Sequence, residues 1–507
     1  MSKPVARLAQ LGWLTIVWGL PWSHGAMTVG TTLVGVSVVW QALIVTRGAR
    51  PNDAFWRREK WPLALVCWFV WTMASAGWSL DPARSWKMVS IEAALGMLVL
   101  SWWACPPPNL MGIRRAVGWS AATACLLCVI QGGIQWYNDA SELEWTPYTS
   151  HIRLSLLAGL GLGWAMVEKR RLLAWTLGIA WAAFAWCTGA LTAAVLLPLT
   201  FLWGMWRSLP VRPRKWFAGS AVMGLVAAVG SLLIWLQPVP LPNELPERTP
   251  WGNLYVHQPE LTLSEGGHRV FVLSCPMEWD SAWKQVSDVS LDTPQRRGHA
   301  LRQCMLRYIT SLGLPKDGAT IASLSPEDVR AIEEGNTNCH PAQGLTQRMR
   351  SVRFGYETWR DFKNPTGSSI WQRWEHWQAA VLTWQSAPWI GHGLGGLFEP
   401  MQQAYVQMNS KLHPDFRHGA HNQHLTVASQ SGLVGLTLWV AFLVLMARHV
   451  FRNNQWPLHA WGFVVFFLST CYEDTLETQA GLLVAALALG STASFSTKDS
   501  PAGSDQG

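Results

Sequence analysis

Little of this 507-residue chain is charged: Asp, Glu, Lys and Arg make up only 14% of it. The cations form no basic patch on a polar segment, so the formal net charge of +8 gives no footing for nucleic-acid binding. No internal repeat is visible, which excludes a solenoid. No low-complexity tract precedes the tail after Lys498, and only that tail, 496–507, is expected to be disordered. No small-x-small cleavage site follows the apolar run behind Lys3 and Arg7, and more apolar runs come at once. That run therefore reads as an anchor and not as a removed signal. Cysteine is scarce in polar surroundings: of nine in all, only Cys275, Cys304 and Cys339 lie in a long polar segment. In an oxidising compartment one disulfide among those three is expected, with its pairing open. The other six, in or beside apolar runs, behave as small apolar residues.

What the chain has in plenty is bilayer-length hydrophobic sequence. Half of it is apolar, yet its mean hydropathy is only +0.12, as expected when apolar runs are diluted by one long polar segment. Runs of roughly 17–22 apolar residues read as spanning helices. Twelve occur, near 6–22, 26–46, 61–79, 87–105, 113–135, 152–167, 172–187, 190–206, 216–236, 425–447, 457–472 and 478–494. Many of the 35 tryptophans stand at run ends, Trp13, Trp22, Trp61, Trp78, Trp86, Trp136 and Trp216 among them, as interfacial belts do.

Charge orients the runs. One set of connections and termini, from Lys3 and Arg7 through Arg47, Arg50, Arg57, Arg58, Arg170, Arg214 and Arg452 to Lys498, holds 19 cations against Asp53, Glu59, Glu168, Asp499 and Asp505. Segment 237–424, by contrast, has 17 Lys and Arg against 18 Asp and Glu. The positive-inside rule makes the cationic side cytoplasmic, both termini included, and puts 237–424 outside. The expected fold class is an all-α polytopic membrane protein of about 12 transmembrane helices, with a large, mostly helical outer domain between spans 9 and 10. Its parts are 1–236 (spans 1–9), 237–424 (outer domain), 425–495 (spans 10–12) and the tail.

Within the outer segment, Ser281–Ser311 carries apolar positions at helical spacing. Ser325-Pro326-Glu327-Asp328 is a helix start, with a capping serine, a proline and first-turn acids. Ser368–Trp389 reads as a helix with Trp371, Trp374, Trp377 and Trp384 on one side. The four glycines within 391–396 require a turn. Glu92, inside the fourth run, is expected to pair with Arg84 or Lys87. Arg153, entering the sixth run, either snorkels to headgroups or faces an anionic ligand.

The chemistry gathers where the outer segment meets the tenth run, at His421-Asn422-Gln423-His424. His418, His421 and His424 are spaced to share a helical turn, a pattern that raises zinc. No acid stands where a zinc-protease motif needs one and no cysteine adjoins, so no metal is assigned. Gly432 and Gly435, eleven and fourteen residues after His421 by position, let another backbone approach closely.

His421-Asn422, nine residues, then Gly432-Leu433-Val434-Gly435 resembles the signature of the bacterial O-antigen ligase and polymerase family. Gln372–Ala380, with Arg373, Trp377 and Ala380, resembles that family's Arg-x-x-x-Trp-x-x-Ala helix, and Pro388–Gly395 its Pro-x-x-Gly-x-Gly turn. Glu473–Gly481 is similar to the loop before its last helix. Asn364–Ser369 and Ile309–Leu314 resemble a subgroup with an enlarged periplasmic loop.

The resemblance implies a metal-independent, inverting glycosyltransferase of the bacterial inner membrane, without a cofactor. Its members move a glycan from undecaprenyl diphosphate to an acceptor hydroxyl at the periplasmic face. The acceptor is lipid A–core for a ligase, another lipid-linked repeat unit for a polymerase, and serine for a protein O-oligosaccharyltransferase. It implies His421 as base or acceptor-orienting group, Arg373 as diphosphate clamp, and Asn422 and His424 as supports. Where many members carry Ser-Arg at the outer start of the eighth span, this chain has Leu191, which leaves Arg153 and Arg353 as substitute cations. Guanidiniums suit a diphosphate leaving group, and imidazole, which ordinarily titrates near neutrality, suits proton removal from a hydroxyl. A transporter or flippase is the rival class, and it is disfavoured because midspan positions are overwhelmingly apolar.

Overall fold

The computed structural model describes residues 2–45, 60–137, 146, 149–294, 300–340, 342–452 and 456–490. The expectations placed on Arg47, Arg50, Asp53, Arg57, Arg58 and Glu59, and on the tail 496–507, lie outside those residues.

Within the described residues, each of the twelve apolar runs contains a helix. In order they are α1 (Lys3–Gly19), α2 (His24–Val45), α3 (Trp61–Ser75), α4 (Pro82–Ala104), α5 (Leu110–Tyr137) and α6 (His151–Val167), followed by α7 (Arg171–Thr188), α8 (Leu191–Ser208) and α9 (Val211–Trp235). Between α9 and the tenth run come α10 (Pro276–Trp283), α11 (Leu301–Ser311), α12 (Gly318–Ala322), α13 (Pro326–Glu333), α14 (Gly344–Phe362), α15 (Ser369–Ser386) and α16 (Phe398–Gln407). The last three runs are α17 (Gln423–Arg452), α18 (Trp456–Tyr472) and α19 (Gln479–Gly490). Among the described residues, four helices can cross a membrane by length and composition: His24–Ile44, Leu110–Tyr137, Pro213–Trp235 and Gln423–Arg452. Helices α6, α18 and α19 are apolar but shorter.

The chain forms two compact units. The first comprises Met1–Gly219, Arg373–Ser410 and Pro414–Gly507. Its core is aromatic: Trp13 lies 4.5 Å from Trp102, Trp68 4.9 Å from Trp439 and Trp203 4.9 Å from Trp461, centroid to centroid. These offset and tilted ring pairs bury large apolar area without needing a shared polar partner. Helix α19 is buried from Ala480 to Gly490.

The second unit comprises Ser220–Gln372 with Lys411–His413. Its core gathers Trp279, Trp283, Leu301, Met305, Ile309, Ile321 and Ile332. Helix α13 opens on the expected device: Ser325 and Asp328 form a reciprocal capping box, with Pro326 in the first turn. The two-residue strands β1 (Ser264–Glu265) and β2 (His268–Arg269) pair antiparallel. Glu357 fastens β1, accepting from the Ser264 N–H at 2.7 Å and its hydroxyl at 2.8 Å.

The structure corrects three expectations. Ser281–Ser311 is not one helix: α10 ends at Trp283 and α11 begins at Leu301. Between them Ser287 and Ser290 accept from backbone N–H groups two residues on, local bonds that compete with a helix. Cys275, Cys304 and Cys339 are free thiols, and Cys339 instead lies 3.5 Å from the Ser311 carbonyl. Glu92 does not pair with Arg84 or Lys87; it is 2% exposed, its Oε2 has no hydrogen-bond partner, and Glu477 is within electrostatic reach of it.

Candidate functional site

Helix α17 is broken in its N-terminal third. Gly432 has φ 63° and ψ −166°, a conformation nearly confined to glycine. Such a break strands backbone groups on both sides, and in an apolar setting each must find a partner. The turn after α15 supplies them. His392 and Gly393 donate to the carbonyls of Ser429 and Gln430 at 2.9 and 2.8 Å, while Leu433 and Val434 donate to those of Pro388 and Trp389 at 2.8 and 3.3 Å. The fit leaves no room for a side chain: a Cβ on Gly432 would stand 2.2 Å from the Trp389 carbonyl oxygen. Farther along the turn, Leu394 is held on both sides, its N–H by the Ser75 hydroxyl at 3.0 Å and its carbonyl by the Ser85 hydroxyl at 2.6 Å. The glycine turn and the Gly432 break are thus one interlocked piece, which fixes α15 against α17.

That lock positions two side chains. Arg373 lies in the first turns of α15, and His421 just ahead of α17, with φ 48°. A positive φ is costly for a non-glycine residue. Asp474, on the loop between α18 and α19, holds it: its carboxylate accepts from the His421 N–H at 2.9 Å, the Asn422 N–H at 3.1 Å and the Thr426 hydroxyl at 2.6 Å. Glu473 joins the two side chains. Its Oε1 accepts from Arg373 Nη2 at 2.8 Å, and its Oε2 stands 3.7 Å from His421 Nδ1. The second separation is that of an ion pair when the ring is protonated and is longer than a hydrogen bond. Arg153, at the start of α6, is within electrostatic reach of the same carboxylate.

Behind His421 lies a buried pair. His376, on the buried side of α15, bonds through Nδ1 to the Tyr405 hydroxyl at 2.6 Å; that hydroxyl in turn donates to the His418 carbonyl at 3.0 Å. The His376 ring is 5.4 Å from that of His421. Burial, aided by the nearby charges of His421, His418 and Arg373, pushes His376 down to about 3, so it stays neutral. Burial alone would raise Glu473, but the partners His421 and Arg373 hold its carboxyl below the usual range. Asp474 is raised by burial, against the stabilising bonds from Thr426 and His421. Glu477 is pushed up to about 7 by burial and by the charge of Asp474.

The residues singled out in the sequence divide cleanly. His421 and Arg373 meet on Glu473, with Arg153 within electrostatic reach of it. Asn422 caps α17, its Oδ1 accepting from the N–H groups of His424 and Leu425 and its Nδ2 donating to the Cys471 carbonyl at 3.0 Å. His424 is engaged elsewhere: Nδ1 accepts from Trp439 Nε1 at 2.9 Å, and Nε2 is 3.3 Å from the Thr470 hydroxyl. His418, His421 and His424 therefore do not share one helical turn; only His424 is on α17. Among the described residues no group of three His, Cys, Asp or Glu side chains is arranged to hold a metal ion. Arg353 belongs to the second unit, where it pairs with Glu357 at 3.0 Å, donates to the Gln237 carbonyl and covers Trp235. Residue-by-residue reading missed the roles of Glu473, Asp474, His376 and Tyr405. The one available signal was Glu473-Asp474, two acids adjoining an apolar run.

The arrangement offers a one-third exposed imidazole beside a guanidinium, both partnered by one carboxylate. It suits removal of a proton close to a bound anion. Residues 328–440 match the family model described as O-antigen ligase. No curated protein matches the chain.

Proposed function

We infer that this chain, whose residues 328–440 match the family model described as O-antigen ligase, is a membrane glycosyltransferase that moves a glycan from undecaprenyl diphosphate to an acceptor hydroxyl, lipid A–core in the ligase reading. The observation that carries the inference is the meeting of Arg373 and His421 on Glu473. In the reaction the acceptor oxygen attacks the anomeric carbon from the face opposite the leaving group. The bond between that carbon and the phosphate oxygen breaks, and its electron pair leaves with the polyprenyl diphosphate. His421 takes the hydroxyl proton and later releases it to water. Arg373, with Arg153, stabilises the charge that builds on the phosphate oxygens. Attack from the opposite face inverts the anomeric configuration.

The reading places the active site on the periplasmic side of the inner membrane and both termini in the cytoplasm, in line with the excess of cations in the other connections. A transporter is the weaker reading. A broken helix in a transporter leaves backbone open to the substrate, whereas the Gly432 break is sealed by the 388–393 turn.

A deletion strain tests the proposal and separates the acceptors. Loss of a ligase leaves long chains on undecaprenyl diphosphate, and loss of a polymerase leaves lipid A–core bearing at most one repeat. Loss of a protein O-oligosaccharyltransferase removes glycan from protein serines. In the complemented strain His421→Ala is expected to abolish transfer while the protein still inserts and folds. Full transfer by that variant refutes the assignment.

A further inference from the structure

Glu473 is placed as more than a bystander in the family-matched region. It follows α18 directly, outside residues 328–440, yet its two oxygens address both groups proposed to act. Arg373 Nη2 sits on Oε1 at 2.8 Å and His421 Nδ1 faces Oε2 at 3.7 Å. Its neighbour Asp474 pins the His421 backbone, so the ring is carried from a fixed point close to that carboxylate. A carboxylate opposite Nδ1 favours the tautomer with its proton there, leaving the Nε2 lone pair to accept. Meanwhile the guanidinium that would grip a diphosphate is already bound to a carboxylate. An incoming anion must take Arg373 from Glu473.

We propose that Glu473 is the positioning residue of this site, setting the His421 tautomer through one oxygen and holding Arg373 through the other until the donor's diphosphate displaces it. The proposal rests on the reading of His421 as base and Arg373 as diphosphate ligand. It explains why one side chain contacts both. Before the donor arrives, Glu473 balances part of the charge of Arg373. Once Arg373 turns to the diphosphate, the carboxylate is left to His421 and to Arg153, and it stabilises the imidazolium that forms as the proton is taken.

The two roles have opposite consequences for Glu473→Gln, and this separates them from a structural role. Removing the competing carboxylate takes one anion away from Arg373, so an anionic probe binds tighter. Removing the orienting charge slows turnover. The probe is farnesyl diphosphate, titrated into purified full-length protein in detergent. Turnover is read as consumption of the polyprenyl-diphosphate-linked glycan in membranes of the deletion strain. Arg373 and Glu473 are 24% and 23% exposed, so the gain expected is that of a partly solvated ion pair, about two- to fivefold in Kd. It is expected to vanish in the Arg373→Ala background. Consumption is expected to fall about 10²-fold, at the low end of what general-base catalysis supplies. Glu473→Asp, which keeps the charge, is expected to bind the probe as the wild type does.

Weaker probe binding together with lost consumption in both Glu473 variants overturns the proposal, since the carboxylate would then be structural. Tighter binding that persists without Arg373 overturns the exchange, and unchanged consumption by Glu473→Gln overturns the positioning of His421. Failure of the underlying reading looks different: His421→Ala would then consume donor normally, whatever the Glu473 variants do.

Discussion

Gly432→Ala tests whether the interlock between the glycine turn and α17 holds the site together. The added methyl group meets the Trp389 carbonyl oxygen at 2.2 Å, its carbon at 2.3 Å and the Ile390 nitrogen at 2.4 Å. All three are backbone atoms, so no side chain can rotate away. The φ of 63° with ψ of −166° adds about 1–3 kcal/mol of strain for alanine. Relief requires the turn to withdraw, and losing even two of the four bonds that tie 388–393 to 429–434 adds about 2 kcal/mol. The sum is about 3–5 kcal/mol. Spread over a chain of this size, that lowers the apparent Tm by roughly 3–5 °C, measured by intrinsic tryptophan fluorescence in detergent. Gly77→Ala is the control: a Cβ there meets nothing within 4 Å, and its Tm is expected to stay within about 1 °C of the wild type. If Gly432→Ala unfolds with the control, the glycine is not required for the break and the interlock is not what positions Arg373 and His421.

Asp474→Asn replaces one of two accepting oxygens with a donor that faces an N–H group or the Thr426 hydroxyl. A cost of about 2 kcal/mol is expected from the charge-assisted bonds lost, with transfer falling more than about tenfold as His421 leaves its held conformation. Thermal unfolding and donor consumption measured on the same preparation check both. His376 gives a pH dependence of stability. Its folded value near 3 lies below the ordinary 6.5, so between these pH values the unfolded chain binds the extra proton. Stability therefore falls as the pH drops from about 6.5 toward 3. His376→Gln is expected to flatten that slope, which Tm measured across the interval would show; an unchanged slope would assign it to other groups.

The helices were legible because their signal is local. Twelve apolar runs became twelve helices, since an apolar run of that length satisfies its backbone only by helical bonds within itself. The start of α13 was legible for the same reason, its cap and acids lying within four residues. The Ser281–Ser311 expectation failed where a few serines turned their hydroxyls on nearby backbone, a choice that apolar periodicity does not register. At the site, His421, Arg373 and the glycines of 391–395 and 432 were visible as residue types in order. Their chemistry was readable by resemblance alone.

What only the tertiary structure decided is which groups meet. Glu473 lies 100 residues from Arg373 and Asp474 lies 53 from His421, and no periodicity links positions on different helices. Their contacts follow from how α15, α17 and α18 pack. That packing in turn depends on a turn filling the break at Gly432, where backbone satisfies backbone and side-chain pattern has no say. The same packing separates the histidines, sending His424 to Trp439 and holding His376 in the protein interior. The sequence by itself determined a bundle of apolar helices and the residue types at one end of it. The fold decided that a single carboxylate would serve both the imidazole and the guanidinium, because only three-dimensional proximity sets the electrostatic partners of a charge.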